Sequence, residues 1–293
     1  MIDILIDADP PVYSCGYAAE EHTYELIVAD PEDELHQMHW NDGNLMKQWK
    51  AKYIGKEGWE FLDQTKLVRP LGVELAKNIL QGKLHGIVKA VGDKYGDFGN
   101  IRLFLSGPGN FREELATIAG YKANRKEEAK PVYYQQLRNL MTEEWGAEVV
   151  HGQEADDAIS IMAHNYPDFS SYVVASIDKD LDQIPGWHYN YDKEVFYFVE
   201  PEEAEMFFYE QALSGDSADN IPGCKGIGPV KAQKILKDCP LEDAWQIVVG
   251  TYEISMGKGA EYAGLSAEEA ALETARLVRM RQYEEELWNP PAA

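Results

Sequence analysis

Carboxylates recur in four short stretches of this chain at spacings of two or three. "ILIDADPP" carries Asp7 and Asp9, "QEADDA" carries Glu154, Asp156 and Asp157, "SIDKDLDQ" carries Asp178, Asp180 and Asp182, and "GDSADN" carries Asp216 and Asp219. Gathered in one place, so many acids repel one another unless hard cations neutralise them. A donor set made of oxygen alone favours magnesium or manganese over zinc. The chemistry expected is that of a divalent-metal site. Each stretch also has a plain structural alternative: acids in the first turn of a helix are favoured by its dipole, which covers "QEADDA". The spacing of "DKDLDQ" approximates a calcium loop, but the sixth position is Gln183 and the twelfth is Tyr189, where such a loop needs glycine and glutamate. In a helix beginning near residue 153, Ala155, Ala158, Ile159, Met162 and Ala163 form the buried stripe. Glu154 and Asp157, three apart, share a neighbouring face, and their carboxylates are expected to point at a common ion.

A second constellation follows the last acids, in "GDSADNIPGCKGIGPVKAQKIL", residues 215–236. Gly223, Gly226 and Gly228 permit positive φ, so the backbone can turn tightly and present successive N–H groups. Pro229 suits the first position of a helix, and the apolar spacing after it is helical. Backbone donors, a helix N-terminus and Lys225, Lys231 and Lys234 together suit a nucleic-acid phosphate and read no bases. The alternative is an ordinary glycine turn between packed helices.

The elements that must position these groups alternate along the chain. Strands are expected at about residues 2–7, 24–29, 101–107 and 171–178, with a mixed polar stretch to about residue 70. Helices are expected over 70–92, over a charged segment from 110 to about 145, from 153, and through the tail. This alternation predicts an α/β fold with a largely parallel central sheet flanked by helices, and ligands at the carboxyl ends of its strands. Asp7 and Asp178 fall at such ends.

Composition narrows the function classes. With 293 residues and 45% hydrophobic content the chain can bury a full core. Cys15, Cys224 and Cys239 are odd in number and lack CxxC spacing, which argues against a disulfide framework and a thiolate zinc site. The setting expected is a reducing cytoplasm, the host's if the chain is phage-encoded. "MIDILIDA" contains two acids and no basic flank, so it reads as a buried strand, neither a signal peptide nor a membrane span. His36 and His39 read as ordinary surface or helix residues. The net charge of −24 would be odd for a protein that only grips phosphates, and a metal site resolves the conflict by reversing the local field.

In their order, "ILIDAD", "YKANRK", "QEADDA", "SIDKDLDQIP" and "GDSADNIPGCKGIGPVKA" resemble the 5′-nuclease superfamily. That superfamily holds phage 5′ to 3′ exonucleases, flap endonucleases and the 5′-nuclease domain of DNA polymerase I. The resemblance implies a PIN-like nuclease core with a helical arch over residues 1–200, and a helical DNA-binding region with a helix-three-turn-helix over 201–293. It implies a magnesium- or manganese-dependent phosphodiesterase with two ions acting at 5′ ends of DNA, and potassium at the glycine turn. Lys122 and Arg125 match the arch residues that meet the scissile phosphate, where they would neutralise developing charge. The partners implied are duplex or flap DNA, with RNA primers and replication proteins as further candidates and no membrane. One departure stands out: many members carry an aspartate after the strand preceding the arch, where this chain has Ser106 and Gly107. Asp9, two residues past Asp7, is expected to fill that role. Two other readings are a PIN-like ribonuclease and a DNA-binding protein without catalysis.

Overall fold

The computed structural model describes residues 1–124 and 129–291. Packing divides them into two compact units, one of described residues within 1–10, 84–129 and 140–291, the other of residues 11–83 and 130–139.

In the first unit a six-stranded sheet has the order β6-β5-β1-β7-β8-β9. Its strands are β1 (Ile2–Asp7), β5 (Phe98–Ser106), β6 (Glu148–Val150), β7 (Tyr172–Ala175), β8 (Gly186–Asn190) and β9 (Val195–Val199). The five strands from β6 to β8 are parallel, and β9 returns antiparallel to β8. β1 lies centrally and is covered on both faces, which is why "ILI" runs apolar without alternation: Ile4, Leu5 and Ile6 are fully buried. Helix α6 (Ala155–His164) buries Ala155, Ala158 and Ile159 with Leu5, Phe104 and Val174. A helical cluster beyond the sheet is built from α7 (Pro201–Ser214), α8 (Pro229–Leu236), α9 (Ala244–Gly257) and α10 (Ala267–Val278), packed on Phe208, Trp245, Tyr252 and Trp288. Of the expected helical tail, Lys179–Gln183 form a short 3₁₀ helix and the α-helices begin at residue 201; "GWHYN" and "VFYFV" between them form a hairpin, their aromatic and β-branched residues suiting a sheet. The charged segment from 110 holds a short helix, α4 (Arg112–Leu115), and turns up to residue 124.

The second unit contains an antiparallel sheet of order β3-β2-β4, formed by β2 (Glu20–Ala29), β3 (Leu35–Trp40) and β4 (Glu60–Pro70), with α2 (Gly43–Tyr53) against it. The stretch expected to be merely mixed and polar is therefore structured. Its core is Leu26, Val28 and Met46 with a ring of tryptophans. His36 sits on β3, not a helix, with its Nε2 2.7 Å from Asp30. α1 (Asp9–Ala18), α3 (Val73–Tyr95) and α5 (Tyr134–Glu144) run through both units. No helix among the described residues is long and apolar enough to cross a membrane.

Candidate metal centre and phosphate-binding turn

Asp7 ends β1 and is 3% exposed, accepting from the Ser176 hydroxyl at 2.9 Å and from the Asp9 amide at 3.3 Å. Burial, then the charges of Asp9 and Asp178, push its carboxyl up to about 7. Ser176 also receives the Asp178 amide at 3.0 Å, so one hydroxyl spans two strand-end acids. Asp178 in turn accepts from the Asp180 amide at 2.9 Å. Asp180 is pushed up to about 7 by burial and by Asp178, Asp216 and Asp219. Asp156 is raised well above the ordinary range by burial and by Asp7, Asp178 and Glu154. The acids from all four stretches therefore sense one another in one cluster at the carboxyl ends of β1 and β7.

Asp9 reaches the site in an instructive way. Its Oδ2 accepts from the backbone N–H of Ser106 at 2.8 Å, while the Ser106 hydroxyl accepts from the Ala155 amide at 3.0 Å and so caps α6. The residue standing where an aspartate was expected thus supplies a donor to Asp9 and a cap to the helix carrying Glu154 and Asp156. Gly107 follows because a Cβ there would collide with the Val150 carbonyl oxygen.

Asp157 departs from expectation. It is fully buried, and its carboxylate accepts from Arg112 Nη1 at 2.6 Å and Nη2 at 2.8 Å, from the Glu154 amide at 3.1 Å and from the Arg281 amide at 3.1 Å. Four donors use the four lone-pair directions of a carboxylate, so it does not point with Glu154 at a common ion. Arg112 holds its carboxyl below the usual range, and burial is outweighed.

Tyr121 and Lys122 close one side of the cluster. The Tyr121 hydroxyl lies 3.0 Å from Glu154 and 2.8 Å from Asp219, and its one proton can be donated to either carboxylate. Lys122 Nζ bonds Glu154 and lies 3.5 Å from Asp219. Arg125 lies outside the described residues. Side-chain ligand atoms of three residues approach within 4.8 Å of one another, among the described residues, at Asp30, Glu34 and His36 in the second unit; no three acids of the cluster do so. The donor chemistry of the cluster, carboxylate oxygens among which Asp7, Asp156 and Asp180 are raised by burial and then by neighbouring acids, fits hard divalent cations.

The glycine turn lies between α7 and α8. Gly215 and Gly223, at φ 65° and 62°, approach so closely that a Cβ on either would strike the other's backbone. Gly226 also has positive φ, at 83°, but Gly228 at φ −102° is the extended N-cap of α8, with Pro229 first in the helix. Lys225, Gly226 and Lys231 line a cleft of about 360 Å³ together with Ser255 and Lys258. Lys231 Nζ donates to the Gly226 carbonyl at 2.7 Å and so steadies the turn. Lys234 is not on this cleft; it lines a separate depression with Lys237 and Cys239. Lys258 was missed from sequence, although "GKG" at 257–259 carried the same signal as the first turn.

The overall fold recurs in a known structure. The T5 D15 protein co-crystallised with metal ions superimposes with a TM-score of 0.54 over 95% of this chain and 89% of that one, at 14% identity. The chain has the fold of this T5 protein. Sequence agrees with the fold: a Bacillus subtilis 5′-3′ exonuclease is 32% identical over 45% of this chain and 49% of its own length. A Shewanella denitrificans flap endonuclease Xni is 30% identical over 43% and 54% respectively. The chain spans about half the length, or much less, of the first curated relatives it matches. No family model matches it. The resemblance to the 5′-nucleases read from the motifs therefore holds in fold and in sequence.

Proposed function

We propose that the chain is a divalent-metal-dependent 5′ to 3′ exonuclease or flap endonuclease that hydrolyses phosphodiester bonds at 5′ ends of DNA. The observation that carries this reading is the convergence of Asp7, Asp9, Glu154, Asp156, Asp178, Asp180, Asp216 and Asp219 near parallel strand ends, where burial and then the neighbouring acids hold Asp7 and Asp180 up to about 7. The activities named for the Bacillus and Shewanella relatives support it. Two magnesium or manganese ions held by these acids would polarise the phosphate, lower the pKa of an attacking water and stabilise the leaving oxygen.

The chain's own residues do the rest. Lys122, now on Glu154 and Asp219, brings positive charge to the edge of the cluster where a phosphate would arrive, and Arg125 is assigned beside it by its motif. Asp9, fixed by the Ser106 amide, takes the place of the aspartate absent at 106. Lys225, Lys231, Lys258 and the turn amides hold backbone phosphates without reading bases, with potassium proposed at the turn carbonyls. Residues 1–200 serve as the nuclease core and 201–293 as the DNA-binding region, in the cytoplasm. Incubating the protein with 5′-labelled duplex DNA and matched RNA, with magnesium and with chelator, tests this. Magnesium-dependent loss of the 5′ nucleotide from DNA is expected. Cleavage of RNA alone would favour the ribonuclease reading, and binding without cleavage the non-catalytic one.

A further inference from the structure

Five residues at the end of α10 are tied down from two sides. The Leu277 and Arg279 carbonyls each accept from Arg112, through Nε and Nη2, both at 2.8 Å, and the Arg281 amide donates to Asp157 at 3.1 Å. The intervening residues face the other way: the Val278 carbonyl accepts from Gln183 Nε2 at 2.7 Å, and the Met280 amide donates to Gln183 Oε1 at 3.2 Å. Odd positions thus meet Arg112 and Asp157, and even positions meet Gln183. Each side leads to a different acidic group. Arg112 clamps Asp157, whose neighbours Glu154 and Asp156 belong to the cluster. Gln183 also donates to Gln211 Oε1 at 2.5 Å, and Gln211 Nε2 donates to Asp180 Oδ1 at 2.8 Å.

Every side chain in this relay is buried: Arg112 is 4% exposed, Asp157 0%, Gln183 4% and Gln211 8%. Burying two amides and an ion pair costs stability unless every group is satisfied, and apolar packing of similar volume is often no worse. What a satisfied polar network adds is fixed orientation. We propose that residues 277–281 are a strap that orients both acidic groups at once, with Arg112 as the positioning residue toward Glu154 and Asp156, and Gln183 and Gln211 toward Asp180. The strap makes the helical region a structural part of the metal centre. This deepens the nuclease reading and rests on it.

Calorimetric titration of Mn²⁺ into the metal-free protein separates the two. The wild type is expected to bind two ions. Gln211→Met, nearly the same shape without the donor, should lower affinity for one ion by about 10–100 fold, as loss of an outer-shell partner does, and leave the other unchanged at a nearly unchanged melting temperature. Arg112→Lys should weaken the other ion. Gln211→Met binding both ions as the wild type does, or losing both equally, would overturn the strap. A wild type that binds no Mn²⁺ would overturn the nuclease reading beneath it.

Discussion

Asp156 and Asp157 are chain neighbours in the first turn of one helix, yet they occupy opposite electrostatic regions. Asp156 faces Asp7, Asp178 and Glu154, and its proton is held tightly. Asp157 faces Arg112 and two backbone amides, and its proton is readily lost. One region stores repulsion that a cation can relieve; the other is already neutralised and resists any ion. A carboxylate's neighbours, more than its position in a motif, decide whether it is free to do chemistry.

The largest effect should come from breaking the neutralised side. Arg112→Met leaves Asp157 as a buried unpaired charge, and urea denaturation should show a loss of roughly 3–5 kcal/mol. A loss within error of zero would mean that the pair is not what holds this region. On the repulsive side the sign for stability reverses. Asp156→Asn should cost turnover at least about 10–100 fold, while the chelated protein melts no lower than wild type. Near-normal turnover would remove Asp156 from the centre.

A pH series sharpens the same contrast. The Asp7 carboxyl is held up at about 7 against an ordinary 3.8, so the folded state binds that proton more tightly than the unfolded chain does. Its contribution to stability is complete below about pH 4 and is lost as pH rises toward about 7. In chelator, the wild type should therefore lose more melting temperature across that window than Asp7→Asn, and added Mg²⁺ should restore most at the upper end. Parallel curves for the two proteins would contradict the shift. The smallest effect belongs to the basic cleft: Lys258→Ala should weaken duplex binding about equally on unrelated sequences and reduce its salt slope by about 1. A loss confined to one sequence would place Lys258 on the bases.

The site was legible in sequence where chemistry is local. Paired acids just past apolar runs mark strand ends, and glycine followed by proline marks a turn entering a helix; both appear where their spacing put them, Gly228 apart. The fold class was legible from alternation, and so was the second half of β2, but the β8–β9 hairpin and strands β3 and β4 were not, because no sustained alternation of apolar and polar residues marks them. Least legible were partners set by tertiary approach. Arg112 lies 45 residues from Asp157, and the Ser106 amide 97 from Asp9; no local pattern announces either contact.

The double duty of Ser106 also bears on how such a site can change by mutation. Ser106→Asp would place a new carboxylate at the amide that binds Asp9, beside the already crowded Asp7, and would replace the hydroxyl capping Ala155. With Asp9 still present, that change adds repulsion before it adds a useful ligand. With Asp9 removed first, the acid is gone before its substitute arrives. The two positions are thus coupled, because Asp9 is held by the backbone of the residue that would carry its substitute.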